Sequence, residues 1–259
     1  MESNVILVTG ATGVLGREVV ERARRAGVPV RALTRRAEPP RTPGVSWCTG
    51  DLLSGEGLAE AFAGVRTVIH CATDAKRYRN DLPAFEQLIA AARTAGVGHV
   101  VNISIVGIDQ VPFPYYRVKL AGEQLLRASG LGWTNLRATQ FPELLDSAFG
   151  ALAKSPVVPM LSGARCQPVD QGEVAERLLE LALGEPAGDA PELAGPKVYD
   201  LLALTRSWLR AAGHRRLVLP VPLPGRLGAA LRSGGLTNPE RAVGRRTWED
   251  FLRTKVANP

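Results

Sequence analysis

The sequence predicts an α/β fold built on a doubly wound, mostly parallel sheet. Three observations lead there. Short, nearly continuous apolar runs rich in β-branched residues recur along the chain, the pattern of strands buried on both faces. Amphipathic stretches with helical periodicity stand between them at the spacing of βαβ units. Glycines close several of these stretches, at Gly27, Gly96 and Gly130.

Taken in order, Val5 to Val8 reads as a buried strand, and Val14 to Ala26 as a helix with Arg and Glu on its wet face. Strands are expected at Val28 to Leu33, Ser46 to Thr49, Val65 to Cys71, His99 to Ile103 and Trp133 to Leu136. Helices are expected at Asp81 to Ala95 and Tyr115 to Ala128. The rhythm then loosens. Ala138 to Gly150 reads as a loop and a short helix, and Val157 to Met160 as a short strand. Val169 to Leu183 is a helix, capped by Asp170 with Glu173 completing a capping box. A Gly/Pro/Ala-rich connection follows from Gly184 to Pro196. Lys197 to Leu201 reads as a strand and Leu202 to Ala212 as a helix. Pro220 and Pro222 make Leu217 to Leu223 an edge strand or an extended segment. Glu240 to Val256 reads as a surface helix. The expected organisation is one domain over residues 1–259, its C-terminal part (about 142–259) forming a small lobe.

Composition removes whole classes. A hydrophobic content of 45% excludes general disorder, and 27 Gly with 19 Pro but no period excludes a collagen-like chain. Cys48, Cys71 and Cys166 stand far apart, so neither a zinc cluster nor a disulfide framework is expected. A reducing cytoplasm is the expected setting. No apolar run is long enough to cross a bilayer, and the start Met1-Glu2-Ser3-Asn4 lacks a basic leader. No membrane partner and no targeting segment are therefore expected.

The formal charge is +7, and it is local. From Arg206 onward eleven Lys or Arg face three acids, which leaves the first 205 residues near −1. Aromatic residues are sparse there and no helix-turn-helix, zinc or RNA-recognition signature appears, so a solvated arginine-rich surface is expected rather than nucleic-acid binding. His70, His99 and His214 are isolated from metal-ligand spacings, so they read as structural or exposed and no metal is expected.

Gly10, Gly13 and Gly16 lie directly between the first strand and the first helix. One glycine permits a tight turn, one lets a pyrophosphate approach the backbone, and one lets helix and sheet pack closely. Free N–H groups of the helix N-terminus then face phosphate. Gly10, Thr12, Gly13, Val14, Leu15 and Gly16 are thus the expected dinucleotide loop. The second strand ends Thr34-Arg35-Arg36, with no acid until Glu38. An NAD site wants a carboxylate there for the ribose 2′-hydroxyl, whereas guanidinium groups suit a 2′-phosphate. NADP(H) is expected over NAD(H), with Arg35 the better placed of the two arginines.

Asp51-Leu52 follows the third strand, where Asp51 can accept from the adenine amino group and Leu52 can line the adenine slot. Asp51 can equally be a turn residue or an N-cap. Ala72 and Thr73 end the fourth strand, where small residues let the chain pass under a ribose. Tyr115 and Tyr116 stand four and three residues before Lys119 on one predicted helix. A lysine beside a tyrosine stabilises phenolate, and such a tyrosine can exchange a proton with a substrate oxygen. Lys119 can also bond the nicotinamide ribose, and Ser104 can hold the substrate oxygen. The structural alternative pairs Lys119 with Glu123 on a helix surface and leaves the tyrosines to packing.

The glycine loop, Asp51-Leu52 and the Tyr-Lys helix together resemble the short-chain dehydrogenase/reductase superfamily. The runs Asn102-Ile103-Ser104-Ile105-Val106-Gly107-Ile108-Asp109, Pro114-Tyr115-Tyr116-Arg117-Val118-Lys119 and Leu136-Arg137-Ala138-Thr139-Gln140-Phe141 are similar to its atypical NmrA-like, NAD(P)H-binding branch. The resemblance implies a Rossmann-type domain with a small C-terminal substrate lobe, and places Gln140 and Phe141 near the nicotinamide or substrate. Only Tyr115 has the superfamily's usual spacing to Lys119, and Ser104 lies 11 residues before it. The branch holds reductases of quinones and related substrates, and also nucleotide-binding regulators. Two expectations follow. One is an NADP(H)-dependent oxidoreductase acting on a small carbonyl, quinone or related organic molecule. The other is a non-catalytic NADP(H)-binding regulator with a protein partner. A monomer or a homodimer suits either.

Overall fold

A computed structural model describes residues 5–74 and 77–257 of the chain. The elements run β1 (Val5–Thr9), α1 (Val14–Arg25), β2 (Val30–Thr34), β3 (Val45–Thr49), α2 (Leu58–Phe62) and β4 (Val65–His70). Next come α3 (Asp81–Thr94), β5 (His99–Ile105), α4 (Pro114–Arg127), β6 (Trp133–Ala138) and α5 (Pro142–Leu152). Then follow β7 (Val157–Leu161), β8 (Arg165–Cys166), α6 (Gln171–Leu183), β9 (Gly188–Asp189) and β10 (Tyr199–Asp200). The chain ends with α7 (Leu201–Ala211), β11 (Leu217–Val221), α8 (Gly225–Arg232) and α9 (Trp248–Ala257).

A seven-stranded sheet has the order β3-β2-β1-β4-β5-β6-β9. β1 pairs in parallel with β2 and β4, β2 with β3, β4 with β5, and β6 with β9. The order reverses between β1 and β4, the switch point at which open sheets of this kind bind ligands. Alternation along the strands serves both faces. Leu7, Leu33, Val68 and Val100 join Phe62, Phe85, Leu88 and Leu126 from α2, α3 and α4 in one core. Ile6, Val8, Ile69 and Val101 alternate with them and are equally buried. α1 and α6 pack on each other. The expected doubly wound fold is the observed one.

The chain divides into two compact units. One comprises Met1–Ser104, Arg117–Leu136 and Gln171–Ala190. The other comprises Ile105–Tyr116, Arg137–Asp170 and Pro191–Pro259. Within the second, β7 and β11 form a parallel pair and β8 and β10 an antiparallel pair. Its core gathers Phe149, Trp208, Leu204, Leu209, Trp248 and Leu252.

Several elements differ from expectation. β8 and α8 were not foreseen, nor were α2 and β9: α2 is one short turn, and β9 is two residues inside the Gly/Pro/Ala-rich connection. Neither is long enough to show a period. The Arg31 guanidinium explains α2's end, donating to the carbonyls of Ala61 (2.9 Å) and Ala63 (2.8 Å). Lys197 to Leu201 contributes only the two residues of β10, because Asp200 caps α7 by accepting from the Ala203 amide at 3.1 Å. The predicted surface helix from Glu240 begins instead at Trp248, a residue 1% exposed. Pro239–Arg241 forms a separate 3₁₀ turn.

Candidate functional site

The glycine loop occupies the switch point. Gly10 has φ +65°, and a β-carbon there would lie 2.7 Å from the backbone of Cys71 and Ala72. The loop thus crosses directly over the chain leaving β4, an approach that requires glycine at position 10. A β-carbon on Gly16 would lie 2.1 Å from the Gly10 carbonyl oxygen, so the first turn of α1 rests on the loop. The Gly13 amide donates to that same carbonyl at 2.9 Å and Gly13 caps α1 with extended backbone. No acid stands in the first turn of α1, so its amides meet no competing anion from that turn. Leu15 and Gly16 are buried and offer backbone only, while Thr12 and Val14 are half-buried and Gly13 is exposed. A glycine loop packed this closely on backbone, leading into the open N-terminus of α1, fits a dinucleotide pyrophosphate.

Arg35 and Arg36 follow β2 and are exposed. The Arg36 backbone is pinned: its amide donates to Thr34 Oγ1, and Thr49 Oγ1 donates to its carbonyl, both at 3.2 Å. Asp51 makes a local turn, its Oδ1 accepting from the Leu53 amide at 2.8 Å. Leu52 is 8% exposed and packs in the core with Leu33 and Leu58. Thr73 donates to Asp81 Oδ2 at 2.5 Å, and the Asp74 amide to Asp81 Oδ1 at 2.9 Å, which ties the chain after β4 to the start of α3.

α4 begins at Pro114 and carries Tyr115, Tyr116 and Lys119 on its first turns. Lys119 Nζ donates to the Ile103 carbonyl at 3.3 Å. The helix is thereby anchored beside Ser104, whose hydroxyl is buried without a hydrogen-bond partner among the described residues. Burial pushes Lys119 below its usual range, opposed by Asp81, Glu123 and Cys71. Tyr116 packs edge-on against Phe113 (5.3 Å between centroids) and within a cluster holding Val111, Ala164 and Leu231. Burial raises its phenol far above the ordinary value, with Tyr115 and Cys166 adding to the effect.

Glu123 is 1% exposed and bonds Asn135 and Arg127, so in place of the alternative surface pairing with Lys119 it is a buried carboxylate in a network. The Gln140 amide is likewise engaged: Nε2 donates to the Leu236 carbonyl at 2.8 Å and Oε1 accepts from the Gln167 amide at 3.0 Å. Its side chain fastens the exit of β6 to two other segments. His70 and His99 are structural, bonded to Thr9 and Thr134 at 2.8 Å each. Burial lifts the Cys71 thiol to about 12, too high for a nucleophile near neutral pH. Among the described residues no cluster of His, Cys, Asp and Glu could hold a metal, and no helix is long and apolar enough to cross a membrane. Sequence reasoning missed Asn102, Asn135 and Glu123 as a group. The available signal was a pair of asparagines inside otherwise apolar strands.

The fold and the loop define a dinucleotide-binding protein. Residues 10–157 match the family described as NAD(P)H-binding, and the chain belongs to it. It is 33% identical over 216 residues to (4-alkanoyl-5-oxo-2,5-dihydrofuran-3-yl)methyl phosphate reductase of Streptomyces griseus, a match covering 81% of this chain and 74% of that one. It is 29% identical over 230 residues to the photosystem II assembly factor Ycf39 of Cyanophora paradoxa, covering 84% and 72%. Among solved structures, the NADPH-dependent quinone oxidoreductase QOR2 of Escherichia coli, complexed with NADPH, superposes with a TM-score of 0.81. That match has 20% identity and covers 96% of this chain and 99% of that one, a likeness of fold.

Proposed function

We propose that the protein is an NADP(H)-dependent oxidoreductase acting on a small carbonyl, quinone or related organic substrate. The observation that carries this reading is the anchoring of Lys119 on the Ile103 carbonyl, next to the buried, unpartnered Ser104 hydroxyl. A hydroxyl left without a partner in a dry place is costly unless a ligand completes it. Gly10, Thr12, Gly13, Val14, Leu15 and Gly16 would hold the pyrophosphate, Arg35 the 2′-phosphate, and Lys119 the ribose. The nicotinamide, when bound, supplies or takes the hydride. Ser104 orients the substrate oxygen, and Tyr115, one turn before Lys119, gives that oxygen its proton. Tyr116, with its phenol buried among apolar side chains, serves packing. Gln140 holds the segment around Leu236 in place. The similarity to a reductase over most of both chains supports the same reading. The cytoplasm remains the proposed setting.

The test is turnover of NADPH with a panel of quinones and carbonyl compounds, cofactor affinity being measured alongside. Tyr115→Phe is expected to lower kcat by about 10²- to 10⁴-fold with NADPH affinity intact, and Tyr116→Phe to leave kcat within a few-fold. Full activity in Tyr115→Phe ends the assignment. Arg35→Ala is expected to weaken NADPH by about 1.5–3 kcal/mol, the range for a charge-assisted hydrogen bond, and to leave NADH unchanged. Equal effects on the two cofactors would remove Arg35 from the 2′-phosphate site.

The regulator reading rests on the likeness to an assembly factor. It predicts NADPH binding without consumption across the panel.

A further inference from the structure

A chain of side-chain hydrogen bonds runs through the first unit and ends at Asn102, which shares a small cavity with Lys119. Its far end is the Glu123 carboxylate, which has no exposed side-chain surface. Glu123 Oε1 accepts from Asn135 Nδ2 at 3.0 Å, and Glu123 Oε2 from Arg127 at 3.1 Å. Asn135 Oδ1 accepts from Asn102 Nδ2 at 2.8 Å. Asn102 is 2% exposed, and its Oδ1 has no partner among the described residues. That side chain lines a small cavity of about 10 Å³ together with Lys119, His70, Asp81 and Phe85. The volume suits a single water, and the walls offer it polar partners.

The polarity of this chain is forced. An ionised carboxylate only accepts, so Asn135 must turn its NH₂ toward Glu123. Its oxygen is then left for Asn102, which must answer with its own NH₂. The Asn102 oxygen therefore faces the cavity. An ammonium offers donors only, so this oxygen is an acceptor it can use.

We propose that Asn102 is a positioning residue for Lys119, acting through one water bound in this cavity, and that Glu123 sets the orientation of the relay. The inference rests on the oxidoreductase reading only in giving Lys119 work to do. The charge state it controls is a property of the free protein. The titratable groups around Lys119 are Asp81 at the start of α3, Glu123 on α4, and His70 and Cys71 at the end of β4. His70 is neutral near pH 7, with burial and Lys119 together lowering it to about 3.

The test is a titration of the Lys119 ε-carbon by NMR in the protein without cofactor, assigned with Lys119→Met. Asn102→Leu removes the acceptor and is expected to lower the Lys119 midpoint by about one unit, a size usual for one lost favourable contact to a charged form. Glu123→Gln removes a negative charge and frees Asn135 to turn over, and is expected to lower it further. Asn102→Asp keeps the shape, adds an anion and is expected to raise it. If Asn102→Asp does not fold, the two lowering variants still decide. Midpoints unchanged in Asn102→Leu and Glu123→Gln overturn the proposal, as does a crystal structure with no water within reach of Asn102 Oδ1. Lys119→Met that binds NADPH and retains full turnover overturns the catalytic reading and leaves the titration result standing. Loss of turnover in Lys119→Met with unmoved midpoints in the other variants overturns the relay alone.

Discussion

Polar side chains are buried in matched sets in the first unit: Thr9 with His70, His99 with Thr134, and Asn102 with Asn135 and Glu123. The second unit relies on rings. Phe149 lies 6.1 Å from both Trp208 and Trp248, and Trp248 stacks on Phe251 at 5.3 Å. The two strategies differ in what they specify. A ring contributes large apolar area and tolerates small shifts of its neighbours. A buried polar group must meet a particular partner in a particular orientation, or it destabilises the fold. The unit with the glycine loop therefore uses buried polar groups to fix strand register, since Thr9–His70, His99–Thr134 and Asn102–Asn135 each join one strand to its neighbour. The ring-built unit fills volume, and the two tryptophan N–H groups end on Asp146 (2.5 Å) and Ser207 (2.9 Å).

The contrast can be broken at its strongest point by Trp248→Ala. Loss of a side chain buried among aromatic neighbours is expected to destabilise the protein by about 3–5 kcal/mol in urea unfolding. A loss under 1 kcal/mol would show that the ring cluster is not what holds the second unit together.

Acid sharpens the comparison from the other side. Burial depresses the folded-state pKa of His70 to about 3 and also lowers that of His99. The buried His70 ring is neutral in the native protein near neutral pH, while the unfolded chain takes up protons near pH 6.5. The His70 contribution is therefore complete above about pH 6.5 and declines as pH falls toward 3, and that of His99 declines in the same direction. Between pH 6.5 and 5 the His70 share is expected to be about 2 kcal/mol. Unfolding curves at the two pH values check it, and His70→Gln should flatten the dependence. A slope that survives in His70→Gln would move its origin elsewhere.

The smallest effect is expected at the surface. Arg25, paired with Glu21 on α1, is 73% exposed. Arg25→Ala should leave the Tm unchanged within error, because solvent screens such a pair. A clear drop in Tm would mean that surface charge matters here as much as buried polarity.

How much was legible follows from the same contrast. The strands around β1 and β4 announced themselves because both faces are covered, so their sequence is continuously apolar. The glycine loop was readable because its constraint is local: Gly10 needs a left-handed φ and Gly16 needs no side chain, wherever the rest of the chain goes. β8, β9 and β10 are two residues each and carry no period at all. The burial of Leu52 and the bonds from Gln140 to Leu236 and Gln167 were not legible, because burial and long-range partners are properties of the folded chain.

By itself the sequence determined the doubly wound sheet, the phosphate-binding turn and the absence of an acid after the second strand, since each depends on neighbours within a few residues. Only the tertiary structure decided which tyrosine is packed away, where Glu123 turns its carboxylate, and which atom of Asn102 is left without a partner among the described residues. Those outcomes hang on contacts between residues far apart in the chain, and no local pattern encodes desolvation or the direction of a hydrogen bond.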